Sequence, residues 1–112
     1  MDRRIFSLDD ANRVLPSVKR LTAEAVRQAD EIAERLRGID ERDPEHQQTS
    51  AELTEVVNRW AFEMQELSLD VKGLWLVDFD NGEGYYCWCH PEERVVHYHG
   101  YTEGFAGRMK IV

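Results

Sequence analysis

The chain has 112 residues, of which 42% are hydrophobic and 32% charged, and a formal net charge of -8. This length suits one domain, residues 1–112, with one core, and the composition is ordinary for a globular protein. The acidic balance argues against nucleic acid or an anionic membrane as partner, because both would be repelled.

At the N-terminus, Met1-Asp2-Arg3-Arg4-Ile5-Phe6 lacks an apolar run of signal-peptide length. Nor does any later stretch have the length and apolarity of a membrane-spanning helix, so a cytoplasmic location is expected by default. Ser7 with Asp10 three residues on resembles a capping box, opening a capping segment that ends near residue 15. Pro16 suits a first helical position, which predicts a kink or restart there. Residues 16–72 read as a helical hairpin. Apolar residues fall at Val18, Leu21, Ala25, Ala29, Ile32, Leu36 and Ile39 in steps of three and four, a narrow helical seam. Gly38 or Asp43-Pro44 ends that run, and residues 40–48 read as a polar loop.

Thr49 and Glu52 form a second capping-box candidate. The next seam is Leu53, Val56, Val57, Trp60, Met64, Leu67 and Val71, with Gly73 where a C-terminal left-handed residue would stand. Two helices of about 22 residues, joined by a short polar connection, predict an antiparallel pair. Val26, Val57, Ala61 and Phe62 lie off the main seam and widen the apolar surface. A homodimer is therefore expected, with two hairpins forming a four-helix bundle.

Residues 73–112 change character and predict a three-stranded antiparallel β-meander with a tail, giving an α+β fold. The strands are expected at 74–79, 85–89 and 95–99, with Asp80-Asn81-Gly82-Glu83-Gly84 as a turn. Face parity puts Tyr86, Trp88, Val96 and Tyr98 on one side, expected to pack on the helices, with Trp60, Trp88 and Tyr98 as core anchors. Tyr85, Cys87, Cys89, Val95, His97 and His99 share the other.

Cys87-Trp88-Cys89 and His97-Tyr98-His99 each place two metal-capable side chains at i and i+2, on the same face of a strand. Two cysteines in a reducing compartment read better as thiols or ligands than as a disulfide. Mixed sulfur and nitrogen donors favour zinc or another divalent transition metal over magnesium or calcium. A fourth donor or a supporting group is available in Asp78, His90 or Glu103. The competing readings are small buried cysteines with hydrogen-bonded histidines, or a thiol acting directly. Arg108, beside Gly104 and Gly107, is expected either to pair with Asp78 or to join His99 in a small-anion pocket. No nucleotide fingerprint, hydrolase triad order or pair of catalytic carboxylates is present, and no nucleotide cofactor is expected. The alternative to a metal protein is a metal-free interaction module built on the hairpin.

The chain resembles the small bacterial family called domain of unknown function 2203 over nearly its whole length. The carriers are Phe6-Ser7-Leu8-Asp9-Asp10-Ala11-Asn12 with Leu15-Pro16, then Leu76-Val77-Asp78-Phe79, Cys87-Trp88, Tyr98-His99 and Gly104-Phe105-Ala106-Gly107-Arg108. The family's usual pattern has Trp where this chain has Tyr98, and does not ask for Cys at position 89. The resemblance therefore shifts weight toward Cys87, His99 and Asp78. It implies a fold and a choice of residues, and no reaction.

Overall fold

A computed structural model describes residues 4–111; Met1, Asp2, Arg3 and Val112, the ends of the expected domain span, lie outside the described residues. Its elements are α1 (Leu8–Arg37), α2 (Pro44–Glu66), β1 (Asp70–Gly73), β2 (Leu76–Asp80), β3 (Tyr85–Cys89), β4 (His97–His99), a 3-10 turn (Phe105–Gly107) and β5 (Met109–Lys110). The architecture is α+β: a helical hairpin with an antiparallel sheet in the order β1-β2-β3-β4-β5. No helix among the described residues is long and apolar enough to cross a membrane.

Helix α1 opens on the expected capping box, with the Asp10 amide donating to Ser7 Oγ at 3.0 Å and the Ser7 amide to Asp10 Oδ2 at 3.2 Å. It then runs 30 residues straight through Pro16, without the expected restart. Proline costs a helix one amide donor, and here the stripe Ala11, Leu15, Val18, Thr22, Ala25, Ala29 and Ile32 is buried on both sides of it. Burial of that stripe outweighs the local defect. Helix α2 starts earlier than Thr49. Asp43 is its N-cap, accepting from the Glu45 amide at 2.9 Å, and Pro44 takes the first turn, so much of the expected loop is helical. Thr22 and Trp60 join the two helices, the indole Nε1 donating to Thr22 Oγ1 at 2.8 Å inside the core.

Five strands replace the expected three because two segments add edges. Ser68 takes a left-handed φ of 68° and ends α2, so Val71 leaves the helical seam and pairs with Val77 in β1. At the other edge, β5 in the tail pairs with β4. The register sets Val77 opposite Trp88 and Phe79 opposite Tyr86 on the face that meets the helices. Trp60 and Trp88 are core anchors, but Tyr98 is not: it is 39% exposed. Strand β4 begins only at His97, so strand parity does not reach back to Val95 and Val96, and Val95 is the buried one.

Asn12 explains Val95. Its side-chain oxygen accepts from the Val95 amide at 2.9 Å and its Nδ2 donates to the Val95 carbonyl at 3.3 Å. One amide side chain thus replaces a strand partner and ties α1 to the segment entering β4. Asn12→Ala leaves both backbone groups unmet, at an expected cost of about 1–3 kcal/mol in urea unfolding. Asn12→Asp, which keeps the acceptor alone, is expected to fall between.

Candidate metal centre

The face of the sheet away from the helices carries the chemistry. Asp78 of β2 stands directly opposite Cys87 of β3, Cys87 opposite His97, and Tyr85 opposite His99. The close approach of β4 depends on Gly84, where a Cβ would come within 2.7 Å of the His99 carbonyl oxygen. The tail then covers this face. The Tyr101 hydroxyl donates to Asp80 Oδ1 at 2.8 Å, and its ring meets Tyr85 edge-on at 5.1 Å.

Under that cover, donor atoms of Asp78, Cys87 and His99 lie within 4.8 Å of one another, and all three residues are buried. The Asp78 and His99 side chains keep only 1% and 3% of their surface. His99 Nδ1 sits 2.7 Å from the Gly100 carbonyl oxygen. A carbonyl only accepts, so Nδ1 carries a proton, and the ring turns its Nε2 toward the Asp78 carboxylate on the other side. That Nε2 is 3.0 Å from Asp78 Oδ2, yet off the line of a hydrogen bond, and both Asp78 oxygens are buried without a hydrogen-bond partner among the described residues.

Electrostatics follow from this burial. Desolvation raises the Asp78 pKa above the usual carboxylate range, with His99, Cys87 and Lys72 pulling the other way. Burial, reinforced by the Asp78 charge, pushes the Cys87 thiol up to about 12. Two potential anions and an imidazole thus converge, and the Arg108 guanidinium reaches only the Cys87 edge of the group, donating to Sγ at 4.0 Å.

Arg108 does not pair with Asp78. It makes a two-pronged ion pair with Glu92, at 2.6 and 3.0 Å, in the loop between β3 and β4. Glu92 also accepts from the Cys89 amide at 2.8 Å, while its carbonyl takes the Trp88 indole at 2.8 Å. The other sequence candidates lie around this second network rather than in the cluster. Cys89 Sγ is 3.6 Å from the His90 carbonyl oxygen, and His97 Nδ1 is 3.7 Å from Glu92 Oε2. His90 stacks edge-on with Trp88 at 6.2 Å. Glu103 is exposed and accepts from the Gly100 amide at 2.8 Å, pinning the tail.

The sequence profile described as "Uncharacterized conserved protein (DUF2203)" matches residues 4–111. The chain belongs to the DUF2203 family. No curated protein and no solved structure matches it. The description of DUF2203 assigns no reaction, so the chemistry of this member is that of its own side chains. Three of them escaped the sequence reading. Glu92 and Tyr101 sit in loops and Lys72 in β1; the pairing of β1 with β2 brings Lys72, and the folded tail Tyr101, to the Asp78 face.

Proposed function

We propose that this protein holds a divalent transition metal ion, zinc foremost, through Asp78, Cys87 and His99. One observation carries the reading: both Asp78 oxygens are buried without a well-aligned hydrogen bond among the described residues, within 4.8 Å of a His99 ring nitrogen and the Cys87 sulfur. Zinc bonds of about 2.0–2.3 Å would require these donor atoms, which lie within 4.8 Å of one another, to draw inward on binding. The bond from His99 Nδ1 to the Gly100 carbonyl is the kind of contact that fixes a ligating imidazole's tautomer and orientation. Sulfur, nitrogen and oxygen donors together suit zinc better than magnesium or calcium.

A cysteine nucleophile fits less well. A relay needs the histidine to touch the thiol through one nitrogen and the carboxylate through the other, but His99 gives Nδ1 to a backbone carbonyl. The Cys87 thiol, pushed up to about 12, is also protonated at neutral pH. A metal ion removes that proton on binding. The apparent affinity is therefore expected to rise with pH, about tenfold per unit for each proton released.

Cobalt(II) titration tests the ligand set. Cys87→Ser is expected to abolish the thiolate-to-cobalt charge-transfer band and Cys89→Ser to preserve it. The reverse pattern would move the site to the Glu92 network and refute this assignment.

Self-association through the hairpin is a separate reading, favoured by Phe62 of α2 at 60% exposure. Light scattering at micromolar concentration is expected to give twice the chain mass of 13.1 kDa. A mass of one chain removes the dimer.

A further inference from the structure

We propose that the cavity beside Asp78 and His99 binds a small carboxylate with a flat apolar body, held between the metal ion and Lys72. This rests on the metal reading above and goes beyond it by giving the ligand's class. The cavity measures about 300 Å³ and is lined by Lys72, Asp78, Tyr85, His99, Tyr101 and Phe105, among others. That volume is at the lower end of small-molecule sites. Asp78 and His99 belong both to the donor cluster and to the cavity wall. A metal held by three protein groups keeps a fourth position for an exogenous ligand, and the cavity is the space beside those donors.

Charge selects the ligand. A divalent ion would be neutralised by the Asp78 carboxylate and the Cys87 thiolate, which leaves Lys72 to face an anionic ligand, with Asp70 and Asp80 acting on the Tyr85 wall. Lys72 is the one lysine or arginine on the wall, and it has no carboxylate at ion-pair distance among the described residues. Its ammonium lies 4.8 Å from the centre of the Tyr85 ring, facing the same space. One cation on the wall with these acids behind it suits a carboxylate, a monoanion at pH 7, better than a phosphate carrying about -1.5 to -2. Shape selects the body. The Tyr85 ring meets Tyr101 edge-on and lies 5.5 Å from the His99 ring, and Phe105 adds a third benzenoid wall, a lining suited to flat apolar groups.

Calorimetry of the full chain loaded with zinc tests this, with benzoate as probe and benzamide as its neutral counterpart. Benzoate is expected to saturate and to bind at least about tenfold tighter than benzamide. It is expected to lose that binding when zinc is removed, and to weaken in Lys72→Gln while zinc still binds. Benzoate that fails to bind the zinc form, matches benzamide, ignores zinc or ignores Lys72→Gln overturns the carboxylate assignment and leaves the metal site standing. Failure of zinc itself to bind removes both.

Discussion

Asp78→Asn is expected to raise the melting temperature of the metal-free protein at neutral pH and to abolish its stabilisation by zinc. The carboxylate is buried without a well-aligned hydrogen bond among the described residues, and burial, outweighing His99 and Cys87, raises its folded-state pKa above that of the unfolded chain. A group shifted in that direction adds stability below its unfolded pKa and loses it as pH rises through the folded one. Each pKa unit of such a shift amounts to about 1.4 kcal/mol at higher pH. Asparagine has the same shape and no charge, and its amide offers both a donor and an acceptor to the His99 Nε2. The metal-free variant and the parent should therefore unfold alike near pH 4 and diverge above it, the variant becoming the more stable. With zinc the order reverses. Ligand at one hundred times its Kd stabilises the parent by about 2.7 kcal/mol, or about ten degrees in a domain of this size. The variant gains none of this. A variant less stable than the parent without metal would show that the Asp78 charge serves packing rather than a cation.

Trp88→Ala is expected to cost about 3–5 kcal/mol, a large part of the roughly 5–15 kcal/mol that holds a domain folded. Trp88 is fully buried opposite Val77, at the centre of the sheet face that meets the helices. Its indole also donates to the Glu92 carbonyl, in the loop that orients Arg108 and the Cys89 amide. The loss is thus a cavity plus a released loop. Trp88→Phe keeps most of the apolar volume and should cost clearly less. Equilibrium urea unfolding reads both, and a change below about 1 kcal/mol for Trp88→Ala would mean the face assignment fails.

Much of the fold was legible because period and parity report directly on burial. The Ser7 box, the two helical seams and the Trp88 face all follow from local patterns that the folded chain keeps. What escaped were places where one residue pair has two uses. Asp43-Pro44 reads equally as a stop for one helix and as the cap and first turn of the next. Val71 continues the α2 seam by spacing, but a left-handed Ser68 turns it into a strand. Within the site, parity named Cys87 and His99 correctly as neighbours on one face. It could not separate them from Cys89 and His97, which share that face. Register and the tail's cover separate them: Asp78 lies across from Cys87, whereas Cys89 and His97 lie near Glu92. The sequence offered Arg108 to Asp78 or to an anion pocket with His99, but Glu92 in the β3–β4 loop holds it through both terminal guanidinium nitrogens.

Metal analysis of the full chain, purified without a polyhistidine tag and without chelator, tests the central claim most directly. The expected result is close to one transition-metal ion per chain, predominantly zinc, falling to background in Cys87→Ser and in His99→Ala while Cys89→Ser keeps its metal. Parent protein that stays metal-free after incubation with zinc and gel filtration would contradict the account.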